Sequence, residues 1–251
     1  MLAGVNLLQV NEFSELIDKK MNRTKLAQYL DLANHQANTT PDDIRELCDA
    51  VKKFGFHAAF VNPSYVSLVR GYLFDSKSKI GTVIAFPLGQ EMTDIKNLAT
   101  LKAVNEGADE LDIVMNIGWF KAGKFTPVRN EMRRLAETAK DVKAETIVKF
   151  IIETGYLTGD EIRRASQLVV ESGADFVKTC SGMGPRGAKL EDVSLIKGVV
   201  GDRVKIKVAG GITTLQQVKD FLAWGADRIG TSHAVEIYTE FLNRLKNDSK
   251  N

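Results

Sequence analysis

Lys178 stands inside an apolar run, Phe176-Val177-Lys178-Thr179-Cys180. Burying an ammonium there costs several kcal/mol unless it is paired or neutralised, so a lysine at that position points to chemistry. Val204-Lys205-Ile206-Lys207-Val208-Ala209 repeats the pattern, and Glu110-Leu111-Asp112-Ile113-Val114 puts a carboxylate in a third run. Two lysines and an aspartate at one site suit carbonyl activation. A lysine beside a second cation gives up its proton more readily, and its free amine attacks a carbonyl to form an iminium. The carboxylate then shuttles protons during carbinolamine dehydration and enamine formation. The competing reading is a structural Lys–Asp ion pair. Convergence of three such residues favours the reactive one; Lys205 or Lys149 are the residues to examine should a variant at Lys178 still capture a carbonyl.

Anion binding has its own signal in Ala209-Gly210-Gly211-Ile212-Thr213 and Ile229-Gly230-Thr231-Ser232. Glycine lets backbone amides approach a phosphate closely; the alternative is a pair of tight turns. Gly182-Met183-Gly184-Pro185-Arg186-Gly187 matches the dinucleotide spacing, but Pro185 has no amide to offer and no acidic ribose ligand ends the next strand. It reads better as a loop over a sugar phosphate. His35, His57 and His233 show no zinc spacing and no P-loop motif is present, so neither a metal nor a nucleotide cofactor is expected.

These residues need elements to hold them. Eight short β-rich runs, 29–33, 57–62, 80–86, 110–116, 147–153, 176–180, 204–209 and 228–232, alternate with amphipathic stretches. That is the pattern of parallel strands with helical crossovers. Thr40-Pro41-Asp42-Asp43 and Thr158-Gly159-Asp160-Glu161 read as helix starts. Eight units without a linker predict one (β/α)8 barrel over residues 1–251, with a doubly wound sheet as the alternative. The active site then lies at the C-terminal ends of the strands. Residues 1–28 form an N-terminal extension, of which 1–20 read as an extra helix or tail, and 243–251 read as a polar, fraying tail.

The chain has 251 residues, 44% of them hydrophobic and 26% charged, with a formal charge of +2. Dispersed charge disfavours nucleic acid and membrane surfaces as partners. Two cysteines, Cys48 and Cys180, and the lack of a signal-like N-terminus point to a reduced, cytoplasmic protein.

From about Leu30 to Ala234 the chain resembles the deoxyribose-phosphate aldolase family. The motifs that carry this are Val61-Asn62-Pro63-Ser64-Tyr65, Phe86-Pro87-Leu88-Gly89, Gly107-Ala108-Asp109-Glu110-Leu111-Asp112, Ile151-Ile152-Glu153-Thr154-Gly155, Gly173-Ala174-Asp175-Phe176-Val177-Lys178-Thr179 and Ala209-Gly210-Gly211. The resemblance implies Lys178 as the Schiff-base lysine, Lys207 as the neighbouring cation and Asp112 as the proton relay. It implies reversible joining of acetaldehyde to glyceraldehyde 3-phosphate without a metal, in a possible homodimer. Asp31, Ala33, His35, Phe60, Phe86 and Thr179 are the expected substrate pocket, and Gly182, Gly210, Gly211, Gly230 and Ser232 the expected phosphate site. Ala33 and His35 depart from the family's usual threonine and apolar residues after Asp31. Phe60 replaces a cysteine, Met183 a lysine, Thr213 an arginine and His233 a serine. The departures leave two alternatives: an aldolase with a different carbonyl donor, or a silent sugar-phosphate-binding paralogue.

Overall fold

The computed structural model describes residues 21–248. Its centre is a closed barrel of eight parallel strands in sequential order: β1 (Leu30–Asn34), β2 (Ala58–Val61), β3 (Lys79–Ile84), β4 (Glu110–Val114), β5 (Ile147–Ile151), β6 (Phe176–Lys178), β7 (Lys205–Ala209) and β8 (Arg228–Thr231). β1 pairs with β8, which closes the sheet and excludes the doubly wound alternative. Among the described residues ten α-helices accompany them: α1 (Arg23–Tyr29), α2 (Pro41–Phe54), α3 (Val66–Tyr72), α4 (Thr93–Glu106), α5 (Ile117–Lys121), α6 (Phe125–Val142), α7 (Gly159–Ser172), α8 (Leu190–Val200), α9 (Leu215–Ala223) and α10 (Ala234–Asp248).

Local chemistry sets the helix starts. Thr40 accepts from the Asp43 amide while Asp43 returns a bond to the Thr40 amide, with Pro41 in the first turn. Thr158 and Glu161 make the same reciprocal pair at α7. Each pair satisfies two amides that a helix start otherwise leaves without partners.

Strand alternation divides the interior in two. Leu32, Ala59, Val61, Ile84, Leu111, Ile113, Val148, Phe150, Val177, Ile206, Val208 and Ile229 belong to one apolar core with the helices. Their sequence neighbours point into the barrel, where Asp31, Glu110, Asp112, Lys149, Lys178 and Lys207 are all buried. The barrel lumen is therefore charged, and the hydrophobic stabilisation lies between strands and helices.

The ends differ from the sequence expectation. β6 stops at Lys178, so Thr179 and Cys180 lie in the loop that follows. The extension over 1–28 contains α1, which runs through Tyr29 directly into β1; residues 1–20 lie outside the described residues. The expected fraying tail from 243 is instead part of α10 as far as Asp248, because Leu242 and Leu245 pack against the core.

Candidate active site

The cross-strand register brings the chemical residues together. Lys178 and Lys207 are partners on β6 and β7, and Asp112 and Lys149 are partners on β4 and β5. Asp112 Oδ2 lies 2.8 Å from both Lys178 Nζ and Lys207 Nζ. Its other oxygen lies 3.1 Å from Lys149 Nζ. Lys207 also reaches Asp31 Oδ2 at 2.8 Å.

The charges continue toward the base of the barrel. Lys149 donates to Glu110 Oε2 at 2.6 Å, and Glu110 Oε1 meets His57 Nε2 at 2.8 Å. Arg228 closes the network at 3.1 Å from Asp31 and 3.8 Å from Glu110. Asp31, His57 and Glu110 bring ligand atoms within 4.8 Å of one another. Arg228 and the lysines already neutralise the two carboxylates, so the donor set fits an internal counter-charge better than a metal ion.

Burial and Coulomb attraction compete at each group. Burial pushes the Asp112 carboxyl up, but Lys149, Lys178 and Lys207 outweigh it and hold it well below the usual carboxylate range. Burial likewise opposes ionisation of Glu110, and Lys149, His57 and Arg228 reverse the balance. Lys149 is raised because Asp112, Glu110 and Asp31 overcome its desolvation. Lys207 goes the other way: desolvation wins over Asp112 and Asp31, with Lys149 and Lys178 assisting, and pulls it down to about 8. A buried lysine that sheds its proton near neutral pH is suited to passing protons.

Two glycines make room for this arrangement. A Cβ on Gly81 would overlap the Phe60 ring, so β3 gives up a side chain to seat that ring inside the barrel. A Cβ on Gly230 would sit 2.9 Å from Lys207 Cε.

At the mouth, Lys178, Lys207, Asp112, Ala33, His35 and Phe60 line a cavity of about 210 Å³. Gly182, Gly210, Gly211, Gly230 and Ser232 line the same cavity, together with Met183, Thr213 and His233. The loop from Ser181 to Gly187 is tied down from below. Glu153, left-handed at φ 51°, turns its buried carboxylate under the loop and accepts from the Ser181 amide at 3.0 Å. Arg186 bonds Asp192 and the Thr154 carbonyl.

Three expected pocket residues are placed differently. Thr179 is turned away from the cavity, because alternation sends it to the opposite side from Lys178, and it bonds both polar atoms of the Ala209 backbone at 3.1 Å. Asp31 is fully buried behind Lys207. Phe86 backs the cavity wall, its ring centroid 5.1 Å from that of His35. Phe60 does border the cavity, as expected, but lies beneath Lys207 with no exposure. The sequence reading missed Glu110, His57 and Arg228 as parts of the network and kept Lys149 only in reserve. The available signal was a charged residue among apolar ones, as in Ile147-Val148-Lys149-Phe150-Ile151.

A model of the DeoC/LacD family of aldolases matches residues 25–238. A deoxyribose-phosphate aldolase from Thermococcus kodakarensis is 43% identical over 219 residues, covering 86% of this chain and 97% of that protein. One from Caldicellulosiruptor saccharolyticus is 40% identical over 220 residues, covering 88% of this chain and all of that protein. Among solved structures, the tetrameric deoxyribose phosphate aldolase from Aeropyrum pernix superposes with a TM-score of 0.85 at 26% identity, over 94% of this chain and 98% of that one.

Proposed function

Because this chain belongs to the DeoC/LacD family of aldolases, we propose that it cleaves and rejoins 2-deoxy-D-ribose 5-phosphate through a Schiff base on Lys178, and that it works as a homodimer. The observation that carries the chemistry is the Asp112 carboxylate, whose Oδ2 lies 2.8 Å from two lysines in one cavity. The Lys178 amine attacks the substrate carbonyl carbon, and Asp112 and Lys207 move the protons that release water and leave the iminium. Loss of the proton from the hydroxyl at C3, the carbon beta to the iminium, breaks the C2–C3 bond. Glyceraldehyde 3-phosphate departs, and the electron pair stays on nitrogen-conjugated carbon as an enamine. Protonation and hydrolysis of the enamine then free acetaldehyde and Lys178. The glycine loops at Gly182, Gly210, Gly211 and Gly230, with Ser232, offer backbone amides and a hydroxyl to the phosphate. A silent binding role is disfavoured, since three buried charged residues kept only for binding would be costly. The homodimer reading draws on the tetrameric assembly of the Aeropyrum relative, in which copies of the chain associate.

One observation favours the second reading, an aldolase with a hydroxylated donor. His35 lines the cavity, and its Nδ1 is buried without a hydrogen-bond partner among the described residues. A donor hydroxyl would give that nitrogen a partner.

Borohydride trapping with acetaldehyde and with hydroxylated aldehydes or ketones, read by peptide mass spectrometry, tests both readings. The adduct is expected on Lys178, absent in Lys178→Ala, and weakened near neutral pH in Lys207→Leu with partial recovery at higher pH. Native turnover by Lys178→Ala with an adduct on another lysine would overturn the assignment. Trapping of hydroxylated donors in preference to acetaldehyde would favour the second reading.

A further inference from the structure

Among the described residues no lysine or arginine lines the cavity other than Lys178 and Lys207. Met183 and Thr213, both uncharged, line it beside the glycine loops. What remains to hold a phosphate is backbone at Gly182, Gly210 and Gly211, with the Ser232 hydroxyl. Amides bind an anion well only when several point at one place, so affinity depends on what fixes the loops that carry them. The loop from Ser181 to Gly187 contains neither helix nor strand. Its shape has to come from its contacts.

Both ends of that loop press on Gly210. A Cβ on Gly210 would lie 3.5 Å from the Cα and the amide nitrogen of Gly182. One on Gly187 would overlap the Gly210 carbonyl oxygen at 2.6 Å, and the same oxygen accepts from the Ala188 amide at 3.1 Å. On its other side the loop is held by a fork. Arg186 donates Nη1 at 2.6 Å and Nη2 at 3.0 Å to the two oxygens of Asp192. The same nitrogens reach the Gly187 and Thr154 carbonyls, each at 2.9 Å. Asp192 is buried, and its Oδ2 also accepts from the Thr154 hydroxyl at 2.8 Å and the Lys189 amide at 3.1 Å. One charged pair thus joins the segment after β5, the Ser181–Gly187 loop and the start of α8. Two parallel charge-assisted bonds fix direction as well as distance. Arg186 itself does not line the cavity.

We propose that Arg186 and Asp192 are positioning residues for the substrate phosphate: their fork holds Gly187 against Gly210 and so aims the amides of Gly182, Gly210 and Gly211 at one anion without touching it. The proposal rests on the sugar-phosphate reading above and adds the residues that set affinity at the phosphate end. Neither residue bonds Lys178, Lys207 or Asp112 among the described residues, so the carbonyl end is independent of the pair. A guanidinium that instead bound phosphate directly would be released by loss of Asp192. The two roles therefore predict opposite effects of one substitution.

The test is addition of acetaldehyde to glyceraldehyde 3-phosphate and to unphosphorylated glyceraldehyde by the full chain. Both acceptors meet the same enamine on Lys178, so the ratio of their kcat/KM values reads the phosphate end within one preparation, whatever fraction of a variant is folded. Asp192→Asn and Arg186→Gln are each expected to lower that ratio about tenfold through KM for the phosphorylated acceptor. Borohydride capture of acetaldehyde on Lys178 should stay at the native level. Arg186→Lys keeps the charge but loses the fork, and is expected to behave as Arg186→Gln does. Inorganic phosphate should inhibit addition to the unphosphorylated acceptor, and the variants should need about tenfold more of it. A native chain without preference for the phosphorylated acceptor would overturn the sugar-phosphate reading itself. A native preference that the variants retain, even if both acceptors slow alike, would overturn the positioning role alone. So would a native ratio in Arg186→Lys, which would mean that charge suffices, or a ratio that rises in Asp192→Asn, which would make Arg186 a direct phosphate ligand.

Discussion

Lys207 Nζ lies 3.4 Å from the centroid of the Phe60 ring, inside the barrel and beside the Asp112 carboxylate. Lys149 approaches the same ring at 4.7 Å. The negative face of the ring thus meets two ammonium groups and partly replaces the water they lose, which for a desolvated pair is worth about 2 kcal/mol. The ring reaches this position only because Gly81 has no side chain.

Gly81→Ala should therefore destabilise the fold by about 1–3 kcal/mol through overpacking, and Phe60→Ala by about 3–5 kcal/mol through the cavity it leaves. The double variant should cost less than the two together, with a coupling of about 1 kcal/mol or more. Urea unfolding of the four proteins measures this. Additive losses would mean that the ring and the glycine do not share the space.

His35 is pulled from 6.5 to about 3 by burial first and then by Lys178 and Lys207, against Asp112 and Asn62. Its folded value is below its unfolded one, so the unfolded chain binds more protons between those limits. The contribution to stability is then complete above about pH 6.5 and is lost as the pH falls toward 3. Replacing His35 with Gln removes that dependence. The difference in urea midpoint between native protein and variant should change steadily from about pH 7 to about pH 4; a constant difference would refute it.

Lys149 bridges Glu110 and Asp112, and all three are buried. Lys149→Met leaves both carboxylates short of a counter-charge and should cost about 3–5 kcal/mol. Adding Glu110→Gln removes one of those carboxylates and should restore part of the loss. Turnover should stay low in both variants, because Asp112 has lost the partner that orients its Oδ1. Recovery of full turnover with Lys149 absent would show that the barrel base does not support the mouth.

Cys180 lies close to the site but is fully buried. Burial pushes its thiol up to about 11, against a bond to Thr154 at 3.2 Å. Cys48 is buried too, and its thiol is pushed to about 12. Neither offers thiolate near neutral pH, and the side chain at 60 is a phenylalanine. Incubation with an α,β-unsaturated aldehyde should leave both thiols unmodified by mass spectrometry. Rapid inactivation with an adduct on Cys180 would contradict this.

Much of the architecture is legible in the chain alone. Alternation of period two and capped helical stretches mark eight βα units, because those signals are local and follow from backbone geometry. The same alternation singles out Lys178, Lys207 and Asp112, since a charge inside an apolar run is conspicuous without any partner in view. The glycine loops after β7 and β8 were legible for the same local reason, as were the starts of α2 and α7.

What the tertiary structure alone decided is which residues meet. Periodicity says that Lys178 and Thr179 face opposite ways, but only barrel closure says that Lys178 has the lumen and Thr179 the helix side. The register between strands, set over separations of up to 197 residues, joins Asp31 to Arg228 and makes a single network of Glu110, Lys149 and Asp112. Sequence could not show that Phe60 lies beneath Lys207, because the space it fills belongs to a glycine on another strand. Nor could it show that α4 turns Lys96 inward and Leu98 outward. That orientation depends on Glu131, a partner on a different helix, whose carboxylate makes burying an ammonium less costly than composition alone implies.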